Sequence, residues 1–462
     1  MSYQNGIINY LQKNEITITF TDNEDTGVTP IAAITSDNIV SESLTLKQSI
    51  CDNDALTFGG CIASELSIKL LNTNERQFTT ELTGRWISVQ ITQFYADPED
   101  VVYPSSALYS SSSTYPGTQV NSQSFYVFSG YIDCATIDKT DKNIINIKAY
   151  DFLAKLHEQD ATDFLYLIFK SAEGATTPYT LSYLFEQATK KANNGVLNIS
   201  YSDFNSYFRE QYTNRLDITT TVGSFKMHNA LWMARKDRIS FGTLLKNICE
   251  VLAVFCYVNP NGGKGVLTTT RLSGTVETYN FYEKCETEDY PSTGYKDFKF
   301  SVYGNDRTGK SVIGGGLSDA YSGAVDKTYD FSENVLIMQE YVTSGQGRTS
   351  TDFDLLVNRT SVGVRLAQNA TVAGSFHPQF STYQPLEATL DGRLWVTVGT
   401  PIQIMVNETT PDGDYPRDPD TGEYILDEHG QHPKYAVQTY VLSRTLTGIH
   451  ALTDNITVKG VR

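Results

Sequence analysis

Alternation of apolar and polar residues with a period of two limits this chain more than any other feature. In "SELSIKLLN" the apolar residues Leu66, Ile68 and Leu70 take every second position, and in "RWISVQITQF" Ile87, Val89 and Ile91 do the same. Successive side chains of a strand point to opposite faces, so such runs require strands with one buried side. "EITITF", "ESLTLKQSI" and "QSFYVFSGYID" are of the same kind. A polar turn at 139–143 between two alternating runs predicts a hairpin. Residues 1–152 therefore read as antiparallel β-structure, broken by a long polar loop at 97–124.

The texture changes at residue 153. In "RISFGTLLKNICEVLAVF" the residues Phe241, Leu244, Leu245, Ile248 and Leu252 recur at three and four, which places them on one helical stripe. The run enters "FCYVNPNGGKGVLTTTRL", which reads as a hairpin around a Gly-rich turn. Residues 153–275 thus form a mixed α/β region, and 276–375 a polar β-rich one. From 376 to 462 strands return, in "RLWVTVG", "PIQIMVN", "YAVQTYVLSRTLTG" and "NITVKGVR", with an acidic loop at 407–434.

The two ends also resemble each other. "YIDCATIDKT…NIINIKAYD" (131–151) lies over "YVLSRTLTG…DNITVKGVR" (440–462). Tyr131 matches Tyr440, Thr136 matches Thr445 and Ile137 matches Leu446, then Ile145, Ile147 and Lys148 match Ile456, Val458 and Lys459. Each hairpin follows a run opened by Gly-Arg, "GRWISVQI" (84–91) and "GRLWVTVG" (392–399), which predicts a strand in both places. Duplication predicts two related small β-domains, one at each end.

Composition removes several occupations. At 462 residues the chain is long enough for three or four cores. With 36 Lys and Arg against 53 Asp and Glu, the net charge is −17. An excess of basic residues, which phosphate neutralisation needs, is missing, and so is one for anionic lipid. No run of 18 apolar residues is present, so no stable membrane insertion is expected. The start lacks a basic head followed by an apolar block, which predicts cytoplasmic synthesis without a signal peptide. Cys51, Cys61, Cys134, Cys249, Cys256 and Cys285 include no C-x-x-C pair, so they read as free, largely buried thiols with no zinc.

"GNDRTGKS" (304–311) fits the phosphate-loop pattern G-x-x-x-x-G-K-[ST] letter for letter. Such a loop works when a buried parallel strand delivers it onto a helix N-terminus. Upstream, "KDFKFSVY" alternates like a half-solvated antiparallel strand. Downstream, Gly314, Gly315 and Gly316 oppose a helix. "VLIMQE" (335–340) offers Gln339 where a magnesium-binding Asp belongs. The motif reads as a loop. "DEHGQH" gathers Asp427, Glu428, His429 and His432, but in a Pro-rich turn segment, and the Asp418, Asp420, Gly422 series misses the calcium-loop pattern. Nucleophile signatures are absent, and no spacing singles out a carboxylate pair. The reading is no enzyme, with no catalytic, cofactor-binding or metal residue and no cofactor.

"LTFGGCIASELSIKLLN", "FSGYIDCATIDKTDKNIINIKAYDFLAKL" and "YQPLEATLDGRLWVTVGTPIQI…TYVLSRTLTGIHALTDNITVKG" occur in an order that resembles the baseplate hub proteins of phage tails. These are also called tail-associated or tail-tip proteins, and contractile injection systems have related hubs. The resemblance implies a mainly β fold with an inserted α/β region, in which two related small antiparallel β-barrels flank mixed domains. It implies a homotrimer at the distal end of the virion tail, whose six barrels adapt the sixfold tube to a threefold spike and line the ejection channel. Partners implied are the tail tube or distal tail protein, the tape-measure protein, a separate spike or tip protein, and DNA passing without specific binding. Many relatives continue into a fibre or lysin, whereas this chain ends at "KGVR", so no built-in hydrolase is expected. The 29 Tyr and the polar loops also fit a carbohydrate- or receptor-binding β-protein of the tail tip.

Overall fold

The computed structural model describes residues 3–21, 32–51, 55–56, 59–71, 82–96, 120–164, 167, 179–180, 187–188, 191, 215–216, 238–252, 255–260, 262, 265–270, 275–279, 282–287, 297–303, 310–313, 326–330, 386–407, 417–426 and 434–461. Helix α1 (Tyr3–Tyr10) runs into β1 (Leu11–Thr21), then β2 (Ala32–Thr35), β3 (Thr45–Ser49), β4 (Ala55–Leu56), β5 (Glu65–Leu71), β6 (Trp86–Ala96), β7 (Val120–Ile137) and β8 (Ile144–Tyr150). Next come α2 (Phe152–Glu158), β9 (Tyr179–Thr180), β10 (Arg215–Leu216), α3 (Phe241–Leu252) and the strands β11 (Phe255–Asn259) and β12 (Val266–Thr270). Then follow β13 (Glu277–Tyr279), β14 (Tyr282–Thr287), β15 (Asp297–Tyr303), β16 (Lys310–Ile313) and β17 (Asp326–Asp330). The last five strands are β18 (Leu386–Asp391), β19 (Pro401–Asn407), β20 (Lys434–Tyr440), β21 (Ser443–Thr447) and β22 (Thr453–Val461).

The protein is mainly β. One large sheet runs β14-β18-β22-β21-β3-β5-β8-β7-β6-β1-β2, with β4 added in parallel to β22. Every other pairing in it is antiparallel. Among the described residues this path stays open from β14 to β2, and no closed barrel forms.

The alternation works as the sequence demands. Leu66, Ile68 and Leu70 of β5 and Ile87, Val89 and Ile91 of β6 are all buried, as are Ile16, Ile18 and Phe20 of β1. Each such side chain contributes about 1.5–3 kcal/mol when withdrawn from water. The same core takes in Leu394, Leu446 and Ile449 from the far end of the chain. Strand β3 makes this possible, since Leu46 pairs with Leu446 on one side and with Leu66 on the other.

Helix α3 buries Phe241, Leu244 and Leu245 as its period predicts, while the side chains of Ile248 and Leu252 lie outside the described residues. β11 and β12 pair as the predicted hairpin, with Gly262 at φ 62° in its turn. Helix α2 begins at a buried cap: the Asp151 carboxylate accepts from the Leu153 N–H at 3.0 Å and the Ser64 N–H at 2.8 Å. Burial outweighs these bonds and pushes the Asp151 carboxyl up to about 7. A carboxyl raised in the folded state favours folding while it is protonated, so its contribution is lost as pH rises from about 4 to about 7. Asp151→Asn is therefore expected to cost more stability at pH 5 than at pH 8, read from urea midpoints at the two pH values. An equal cost at both would contradict the assignment.

Two expectations change. "GRLWVTVG" is not a strand: β18 ends at Asp391 and residues 392–400 turn, with Gly399 at φ 87°. Here an arginine side chain takes carbonyls that a neighbouring strand would otherwise bind. Strand β15, expected to be purely antiparallel, has β16 antiparallel on one side and β17 parallel on the other. Lys310 and Ser311 of the phosphate-loop match lie on β16, with Tyr303 opposite Lys310. The chain therefore doubles back as a hairpin and does not enter a helix there, and residues 304–309 lie outside the described residues. Among the described residues, no helix is long and apolar enough to cross a membrane.

Candidate functional site

The repeat suspected from sequence is present in the strand pairings. In the first copy β5 pairs with β8, β8 with β7, and β7 with β6. In the second, β18 pairs with β22, β22 with β21, and β20 with β19. Chain order agrees as well, because β7 corresponds to β20 and β21 together, cut at Val441 and Leu442. Tyr131 lies opposite Trp86 and Tyr440 opposite Pro401.

Register fixes the equivalences. Thr136 faces Asn146, and Thr445 faces Asn455. Leu66 faces Ala149, Ile68 faces Ile147 and Leu70 faces Ile145, while Leu386 faces Val458, Ala388 faces Ile456 and Leu390 faces Asp454. Ile147 thus corresponds to Ile456 and Ala149 to Val458. This corrects the sequence match of Ile145 with Ile456, Ile147 with Val458 and Lys148 with Lys459 by two residues. A slip of two keeps every side chain on its face, so alternation alone cannot detect it. The counterpart of β6 is β19, not the Gly-Arg run at 392–399.

The copies differ in chemistry at two core positions. Where the first has Ala135 and Ile145, the second has Arg444 and Asp454, both buried. Arg444 Nη2 lies 2.5 Å from Asp454 Oδ2, and its Nε donates to Asp454 Oδ1 at 3.2 Å. The same guanidinium donates to the carbonyls of Val396 and, at 3.4 Å, of Arg393. Burial raises the Asp454 carboxyl and Arg444 opposes that rise. Nearby, Arg393 donates to the Thr278 carbonyl at 2.8 Å, lies 3.5 Å from the Glu277 carboxylate and stacks on Tyr279 at 3.9 Å. These two arginines hold the 392–400 turn and β13 against the second copy. Sequence reading misses them, because Asp454 reads as a turn residue before "NITVKG".

The copies also meet directly. Trp395 packs its ring 6.3 Å from Phe125 of β7 and 6.1 Å from Tyr3 of α1. Glu42 accepts from the N–H groups of Ile449 at 2.8 Å and His450 at 3.1 Å, pinning the β21–β22 turn. In the first copy Asp138 serves its own turn, accepting from the Thr140 hydroxyl at 2.6 Å, the Thr140 N–H at 2.9 Å and Asn146 Nδ2 at 3.1 Å, and these donors hold its carboxyl well below the usual range.

The two loops singled out in the sequence occupy equivalent places in the repeat. The first, expected over 97–124, joins β6 to β7 over 97–119 only, because Val120 already opens β7, and the second, expected over 407–434, joins β19 to β20 over 408–433. Residues 417–426 of the second form a tight turn in which the Asp418 carboxylate accepts from the N–H groups of Asp420 at 2.8 Å and Thr421 at 3.0 Å. Those donors keep its carboxyl below the ordinary value. Gly422 has φ 72°, Arg417 stacks on Tyr424 at 3.9 Å, and Tyr424, Ile425 and Leu426 are exposed. Asp427, Glu428, His429 and His432 lie outside the described residues. Among the described residues no three His, Cys, Asp or Glu side chains are placed to hold a metal ion. Cys51, Cys61, Cys249 and Cys256 are buried and Cys134 is exposed, none in a disulfide.

No protein-family model matches the chain, and no curated protein is similar to it. Among solved structures it is similar to a tail protein from Neisseria meningitidis MC58, with TM-score 0.41, 10% identity and 96% of each chain covered. The 43 kDa tail protein of prophage MuSo2 from Shewanella oneidensis gives TM-score 0.39 and 13% identity over 96% of this chain and 98% of that one. The PdpA–VgrG complex of Francisella gives TM-score 0.41 and 13% identity over 99% of this chain and 54% of that one.

Proposed function

We propose that the protein is a structural baseplate hub of a phage tail, a homotrimer that joins the sixfold tail tube to a threefold spike or tip at the distal end of the virion. The observation that supports this reading is the register-matched repeat. Three chains with two equivalent β-units each present six similar surfaces toward a sixfold ring while keeping threefold symmetry elsewhere, and heterologous contacts of this kind close into rings. The ordered resemblance of the sequence to tail hubs points the same way. In this reading 1–152 and 376–462 are the two barrel-type domains, and 153–275 and 276–375 lie between them.

The equivalent loops at 97–119 and 408–433 are the contacts to tube or distal tail protein, once per unit. The chain's net charge of −17 suits a channel wall that tape-measure protein and DNA pass without adhering. The test is co-assembly with the tail-tube protein of the same virion, viewed by negative stain. Expected are tubes capped at one end by this protein, and loss of capping when either loop is replaced by a short Gly-Ser linker, with thermal stability unchanged. Uncapped tubes with the intact protein would overturn the reading.

A further inference from the structure

A cluster of sulfur groups lies away from the repeat's loops, where the segment leading into β5 meets the α3–β11 unit. Cys61 and Cys256 are partners in a parallel β-bridge, and the Cys256 N–H donates to the Gly60 carbonyl at 2.8 Å. Partners on adjacent strands stand about 4.8 Å apart, within the Cα separation of about 4.4–6.8 Å that a disulfide spans. Directly opposed partners of the bridge point their side chains to the same side, which places the two thiols next to each other. Both residues are buried, and Cys249 of α3, also buried, neighbours Cys256. His157 of α2 completes the cluster, its Nε2–H donating to the Cys61 carbonyl at 2.7 Å.

We propose that Cys61 and Cys256 are an oxidisable pair, converted by a peroxide into an intramolecular disulfide that ties the α3–β11 unit to the first sheet. Cys61 is the attacking sulfur. Donation from Cys256 lowers its thiol despite burial, while burial raises Cys256. The Cys61 sulfur attacks one peroxide oxygen, an S–O bond forms and the O–O bond breaks. The departing hydroxide leaves as water, carrying the Cys61 thiol proton. Cys256 sulfur then attacks Cys61 sulfur, the S–S bond forms, and the sulfenic oxygen leaves as a second water with the Cys256 proton. Two electrons pass from the sulfur pair to the peroxide. The bond closes a loop of roughly 195 residues.

The test is peptide mapping of the folded, full-length protein after stoichiometric hydrogen peroxide, thiol alkylation and digestion without reductant. Expected is one linked pair of peptides carrying Cys61 and Cys256, two hydrogens lighter than their sum, in most molecules. Cys249→Ser should leave its yield within twofold, and Cys256→Ser should abolish it. If a variant fails to fold, the wild-type map alone decides. Absence of that link while exposed Cys134 is oxidised in the same sample would overturn the proposal. Predominance of a Cys249–Cys256 link would also overturn it.

Discussion

Replacing Arg444 by methionine is expected to destabilise the folded chain by about 3–5 kcal/mol, the usual cost of removing one partner from a buried ion pair. Asp454 has no exposure, so its carboxylate would be left uncompensated, and the carbonyls of Val396 and Arg393 would each lose a donor. The repeat supplies the compensating change. Arg444→Ala with Asp454→Ile restores the Ala135 and Ile145 arrangement of the first copy, and replacing a whole buried pair by apolar groups is often neutral. The double variant should therefore recover most of the loss, though not all, because the two carbonyls remain without their donor. Urea midpoints of wild type, single and double variants measure this. A single variant within about 1 kcal/mol of wild type, or a double variant less stable than the single, would contradict the equivalence of the two hairpins.

Gly60→Ala is expected to be of similar size, about 3 kcal/mol or more. A Cβ at Gly60 would fall 1.4 Å from the Ile50 carbonyl oxygen and 2.5 Å from its carbon, and both are backbone atoms. Ile50 is held in turn, its N–H donating to the Leu442 carbonyl at 2.9 Å, so relief must move the end of β3 away from the second copy or residues 59–61 away from β11. Gly84 supplies the comparison. It has φ 84° with nothing within 4 Å of its Cβ position, so Gly84→Ala carries only the left-handed backbone cost of about 1–2 kcal/mol. Thermal melts of the two variants should separate clearly. Equal, small losses would show that the contact at Gly60 relaxes freely.

These cases also separate what is legible in the sequence from what is not. Leu66, Ile68, Leu70, Ile87, Val89 and Ile91 announce their buried face, because period two is a local property. The hairpin around 139–143 and the apolar stripe of α3 are local too. The repeat is visible through Tyr131 and Tyr440 and through Thr136 and Thr445, but sequence matching sets its second strand two residues out of place. Any even slip preserves the pattern, and only pairing fixes it. "GRLWVTVG" looks like "GRWISVQI" and still becomes a turn, since the carbonyls of Arg393 and Val396 are taken by Arg444, some fifty positions onward in the sequence. The Cys61, His157, Cys249 and Cys256 cluster leaves no spacing signal at all. Its members meet only once the segment before β5 bridges to β11.

The central claim is a trimer of duplicated units, and its most direct test is the native mass of the purified protein by mass photometry, with class averages of stained particles. The expected result is a mass near three times 51.4 kDa and ring views with pseudo-sixfold symmetry. A compact particle of one chain that stays single when tube and spike proteins are added would contradict it.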